Sequence, residues 1–231
     1  MLLGRALLPA LLLVLAQAAA PALSTACPPS SFASKPNFNP ATYFVGRWYS
    51  LYQIPLTFQP LDSFYCVTAN YEIEGAQQQQ QPTQTTVRVR NASNRGGVNG
   101  PRSETTLRAV IKDPSKPSQA AVGPPFIPPE RYGPYWVVEA GTYDELLAGK
   151  INNCPGDDYE WAIVTGGVPG VNSNDACVPG TGETNSKGFW LLSRVAVVPR
   201  DATDKLLELA SSKGLDVLAL QRVVQDGCTY A

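Results

Sequence analysis

The sequence predicts an all-β chain, an eight-stranded antiparallel up-and-down barrel with one C-terminal α-helix packed outside and a short final strand. Three observations carry this expectation. The dominant hydrophobic period is two, in short segments rich in β-branched and aromatic residues and bounded by Gly, Pro, Asn or Gln. Twenty-one prolines and nineteen glycines in 231 residues supply frequent turns. One late segment switches to a helical period, and a meander followed by a single helix suggests a closed barrel with the helix on its outer wall.

Taken in order, residues 1–26 read as a secretory signal peptide and residues 27–231 as the domain. Arg5 precedes an apolar stretch from Ala6 to Ala16, and the small residues that follow suit cleavage after Ala22 or Ala26. No later segment offers the roughly 18 consecutive apolar residues of a membrane-spanning helix. "STAC" (24–27) is a loose match to a lipid-attachment signal at Cys27, with Leu23 one place too early.

"VGRWYSLYQIP" (45–55) opens the meander, and Gly46 close to Trp48 suggests backbone squeezed against a large ring. The alternating segments that follow are "DSFYCVTANYEIE" (62–74), "TQTTVRVRN" (83–91), "SETTLRAVIKD" (103–113), "GPYWVVEAG" (133–141), "DYEWAIVTG" (158–166) and "GFWLLSRV" (188–195). "PSQAAVGPPF" (117–126) is a weaker strand broken by prolines. "PRDATDKLLELASSKG" (199–214) predicts the helix: Pro199 at a first-turn position, Asp201 and Asp204 near the positive end, Leu206, Leu209 and Ala210 on one face, and Gly214 as its stop. "LDVLALQRVV" (215–224) returns as the last strand.

Composition narrows the chemistry. A net charge of -1 with 16% charged residues gives no sign of a nucleic-acid partner. The chain has no histidine, and its one methionine is the initiator. Ser-His-Asp hydrolysis, Cys-His proteolysis, His-ligated zinc and His- or Met-ligated haem are therefore excluded. Cys27, Cys66, Cys154, Cys177 and Cys228 show no CxxC spacing, and in an oxidising compartment they suggest two disulfides and one leftover thiol. Asn91-Ala92-Ser93 is an N-glycosylation sequon in a polar stretch. An eight-stranded barrel can hold one small ligand among mostly apolar side chains.

"NPATYFVGRWYSLYQIPLTFQ", with Gly46-Arg47-Trp48, resembles the first signature of the lipocalin family, and Trp190-Leu191-Leu192-Ser193-Arg194 resembles its third. The order of "GRWY", "IPLTFQ", "CVTANYEI", "PYWVV" and "WLLSR" over residues 38–228 is similar to the apolipoprotein D-like branch. The resemblance implies a closed-end motif in which Trp48 lies across the barrel, Arg194 packs on its ring and Gly46 passes beneath. It also implies a disulfide between Cys66 and Cys228, and another from Cys27 to Cys177 or Cys154, with Cys177 favoured. The second signature is matched by Asp158-Tyr159, after an insertion, "TYDELLAGKINNCPG", that follows Gly141. The long loop from Gly166 to Lys187 is expected at the open mouth.

The same resemblance places Tyr71, Tyr135 and Trp190 at ligand-binding positions. Alternation along the strands then turns Val67, Ala69 and Ile73 inward with Tyr71, adds Val137 and Leu192, and turns Cys66, Thr68 and Asn70 outward. Burying about fifteen methylenes in such a wall yields roughly 12 kcal/mol gross, so binding needs no charged anchor. The expected function is secretion and transport of a small hydrophobic ligand of the fatty acid, sterol, carotenoid or tetrapyrrole class. No cofactor, metal or catalytic residue is expected. The alternative is a lipocalin-fold isomerase or de-epoxidase acting through a pocket thiol or carboxylate. Further expected partners are a membrane touched transiently at the mouth and a protein crosslinked through the leftover thiol. An organelle lumen, or a lipid anchor at Cys27, is the alternative location.

Overall fold

The computed structural model describes residues 26–75, 85–151, 158–173, 176–180 and 187–230. The expected signal peptide, apart from Ala26, and Cys154 lie outside these residues. Strands β1 (Gly46–Gln53), β2 (Tyr65–Ile73), β3 (Thr85–Asn94), β4 (Arg102–Ile111), β5 (Gln119–Gly123), β6 (Gly133–Gly141) and β7 (Trp161–Thr165) pair antiparallel in chain order. After a hairpin, β8 (Pro169–Ser173) and β9 (Ala176–Pro179), strand β10 (Phe189–Ser193) pairs with both β7 and β1 and closes an eight-stranded ring. Closure satisfies the strand edges that an open sheet would expose.

Two apolar layers hold the ring. The interior is filled by Trp48, Val87, Val89, Val137 and their neighbours. Outside, α3 (Arg200–Ser212) lays Leu206 and Ala210 on Leu51, Val138, Trp161, Ile163 and Leu191. Strands under the helix are covered on both faces, which is why "WAIVT" of β7 is buried at every position while β3 alternates Val87 and Val89 with exposed Arg88 and Arg90. Pro199 stands one place before the helix, in extended conformation, so its fixed φ sets the entry to the first turn.

The expected last strand, 215–224, is mostly something else. Asp216 accepts a hydrogen bond from Leu218 N and caps a tight turn over Val217–Ala219, leaving β11 (Gln221–Arg222) as a two-residue strand on β1. Capping by an Asp side chain competes with strand pairing at that point. The insertion after Gly141 begins with α2 (Tyr143–Leu147), closed by a reciprocal capping box between Thr142 and Glu145.

The loop expected at the open mouth leaves the end of β7 at Gly166. The described part of its second strand is pinned to the end of α3, with Cys177 N donating to Gly214 O and Asp216 N donating to Cys177 O. A disulfide joins Cys27 to Cys177, and a second joins Cys66 to Cys228. The first engages the Cys27 sulfur, the atom that the lipid anchor considered there would need. Beside it, Glu139 of β6 receives Lys35 Nζ at 2.7 Å and Lys213 Nζ at 2.9 Å, tying the N-terminal segment and the helix to the barrel. Burial raises the Glu139 carboxyl, but hydrogen bonds and charge from the two lysines outweigh it and hold the group below its ordinary range.

Candidate ligand-binding cavity

The closed end is built by residues just before β1. Asn39 Oδ1 accepts from Ala41 N and starts the short helix α1 (Pro40–Tyr43), which delivers Tyr43 and Phe44 into the barrel base. Phe38, Tyr43, Phe44, Trp48 and Tyr159 fill this end, with Phe38 stacked on Tyr159 at 5.5 Å. The Arg194 guanidinium lies 3.9 Å from the Trp48 ring. It donates to the carbonyl oxygens of Thr42, Tyr43, Val45, Arg47 and Tyr159 at 2.6–3.2 Å. Gly46 holds φ +66°, a left-handed conformation that a side chain would strain.

Above this plug, three tyrosine hydroxyls meet. Tyr135 Oη is 2.9 Å from both Tyr43 Oη and Tyr71 Oη. Burial pushes Tyr71 up to about 12, and burial raises Tyr43 and Tyr135 well above the usual phenol range. All three remain neutral hydroxyls at physiological pH.

The cavity begins on the far side of the triad. An inner chamber of about 80 Å³ is bounded by Val67, Ala69, Tyr71, Tyr135, Trp190 and Leu192, six residues expected there from sequence. An outer chamber of about 330 Å³ shares Phe58, Gln59, Asn91, Leu107 and Val122 with it and opens among the mouth loops. The inner chamber alone is small for a drug-sized guest, whereas a ligand extending through both has room of the usual order.

Three expectations at this site need correction. Val137 faces inward but does not line the cavity. It is fully buried in the interior cluster, because strand alternation sets a residue's face and not its height along the barrel. Thr68, expected outward, stays in the regular register opposite Tyr49 and Ala92, but it borders the inner chamber beside a bulge of β2 between Tyr65 and Thr68, where Cys66 holds φ +54°. Asn91 of β3, expected to carry a glycan, pairs with Ala69 of β2, has its Oδ1 buried and lines both chambers, so a glycan there would take the space of a ligand.

Sequence reasoning also missed Ser50 and Gln53. From Trp48, unbroken alternation would turn Ser50 and Tyr52 inward. A register shift between Ser50 and Tyr52 instead puts Tyr52 against the outer layer and Gln53 in the cavity wall. Continuing from Val87 and Val89 would have turned Asn91 inward, a signal hidden by the sequon.

No family model and no curated protein matches the chain. Among solved structures it is similar to lobster apocrustacyanin A1, at 14% identity over 80% of this chain and 78% of that one, with a TM-score of 0.48. It is also similar to insecticyanin from the tobacco hornworm Manduca sexta, at 16% identity over 88% and 92%, TM-score 0.47. A third is the major allergen Per a 4 from cockroaches, at 15% identity over 87% and 95%, TM-score 0.47. The chain's own ring closure and external C-terminal helix define a closed, eight-stranded up-and-down barrel with one helix packed outside.

Proposed function

We propose that the chain is a secreted lipocalin of the apolipoprotein D-like branch that binds and carries a small hydrophobic ligand. The observation that carries this reading is the two-chamber cavity, plugged at one end by Trp48 and Arg194 and walled by apolar and neutral polar side chains. Among the described residues, no Asp, Glu, Lys, Arg or Cys lines its inner chamber. The branch assignment rests on the motif order, with the pairing of Cys66 to Cys228 in keeping with it. Secretion is supported by the N-terminal segment and the two disulfides. The mature chain then begins between Leu23 and Cys27 and retains Cys27 for its bond to Cys177. Phe58, 61% exposed, and Phe126, 86% exposed, flank the mouth and suit transient membrane contact.

The enzymatic alternative needs a free thiol or a carboxylate at the cavity. Bonding of Cys66 to Cys228 removes the thiol on the barrel strands, which favours the carrier. Titrating delipidated protein with a fatty acid, a sterol, a carotenoid and a bilin tests the proposal. Saturable quenching of tryptophan emission is expected, because Trp190 lines the chamber 6.1 Å from Tyr135. Unchanged emission and heat across all four at about 100 μM, well above the micromolar affinity such burial supports, would sink it.

A further inference from the structure

Two amide side chains in the cavity wall lack the partners that buried amides require. Gln53 is fully buried; its Oε1 accepts from Ser50 Oγ at 2.8 Å, and its Nε2 has no partner. With the amide reversed, the oxygen would be stranded instead, so one polar atom is left over in either orientation. Asn91 Oδ1 is likewise buried without a partner. Both residues line the inner chamber, and Asn91 stands where the two chambers meet. A buried donor or acceptor without a partner is costly, and proteins rarely leave two in one cavity wall unless something fills the place.

At the inner end the arithmetic is similar. Three tyrosine hydroxyls bring three protons to two hydrogen bonds, so one O–H is left over. Burial keeps these phenols protonated, so they offer neutral donors and no negative charge. Among the described residues of the inner chamber there is also no cation.

Resting on the binding reading above, we propose that the cavity selects a lipophile bearing an uncharged hydroxyl or carbonyl group, held at Gln53 and Asn91, over a carboxylate of the same chain length. A hydroxyl both donates and accepts, so it can satisfy either amide. A carbonyl can take the stranded Gln53 N–H. A carboxylate only accepts, and at that depth it would bury a charge in an apolar wall with no counter-ion. Turning Asn91 would give it one more neutral donor and no compensating charge. Fatty-acid anions are then left with their heads at the mouth, where they gain less from the inner chamber.

The test uses the mature protein loaded with N-phenyl-1-naphthylamine, a neutral fluorophore, and compares displacement by 1-dodecanol, 2-dodecanone and dodecanoate at pH 7.4. The alcohol and the ketone are expected to displace it at concentrations at least tenfold lower than the acid. Gln53→Met and Asn91→Leu are each expected to cut that ratio to below threefold, chiefly by weakening the alcohol, with every displacement constant corrected for the variant's own affinity for the fluorophore. Equal displacement by acid and alcohol in the native protein would overturn the selection, as would a ratio unchanged in both variants, the outcome if ordered water fills the two amides. Failure to take up the fluorophore or any of the three chains would overturn the binding reading and this inference together.

Discussion

Replacing Arg194 by Met should cost the fold about 2.5 to 4 kcal/mol and leave binding nearly untouched. The guanidinium makes two kinds of contact. Its face lies 3.9 Å from the Trp48 ring, a cation–π pair shielded on the indole side and worth roughly 1 to 2 kcal/mol. Its edge serves five carbonyls, but the residue is only half-buried, so several of them can turn to water when it is removed. The carbonyls of Tyr43 and Tyr159 belong to buried residues, and Tyr43 O keeps the Trp48 indole N–H at 3.1 Å. About one charged hydrogen bond's worth, roughly 1.5 to 2 kcal/mol, is then lost outright. For a chain of this size the total lowers Tm by roughly 5 to 16 °C. Arg194→Lys should recover less than half, since an ammonium with three donors cannot span five carbonyls in a plane. Thermal melting by far-ultraviolet circular dichroism measures the loss, and fluorophore displacement measures binding. Neither Trp48 nor Arg194 lines the cavity, so Kd should stay within about threefold, under 1 kcal/mol. A Tm within about 2 °C of the native value would refute the plug, and lost affinity at unchanged Tm would place Arg194 in the site.

Two further outcomes probe the interior and the outer wall. Tyr135→Phe removes the hydroxyl that both Tyr43 and Tyr71 use, and should cost about 2 kcal/mol in urea unfolding, whereas Tyr71→Phe, at the end of the chain, should cost about 1 kcal/mol or less; equal losses would mean that the three hydroxyls do not share protons as described. Glu139 has a folded pKa depressed below its ordinary value of 4.5, so its stabilisation is present above that value and is lost as the pH falls through the folded one. Glu139→Gln should therefore lower Tm at pH 7 by leaving Lys35 buried without its carboxylate, and should flatten the decline below about pH 4.5. A native and a variant protein with parallel acid profiles would show that the lysine pair contributes nothing there.

Much of this architecture is local and therefore legible in the sequence. Alternation in "TTVRVRN", the terminal glycines of "GPYWVVEAG" and the single helical period of 199–214 each act over one or two turns of chain, and each became an element close to its expected span. The same local rule turned Ala69 and Tyr71 toward the cavity. It failed where distant backbone intervened. Val223 N donates to Leu51 O and Cys66 N donates to Val224 O, so the C-terminal tail takes the place between β1 and β2 where those strands part. Gln225 Nε2 then bonds to both Ser50 O and Val67 O, 175 and 158 residues away in sequence. Both register shifts lie beside these contacts, and the one in β1 turns Gln53 into the wall of the cavity. A bulge adds one residue and flips every side chain beyond it. Alternation could say which residues share a face, but the face that Gln53 takes depends on a strand partner from the other end of the chain.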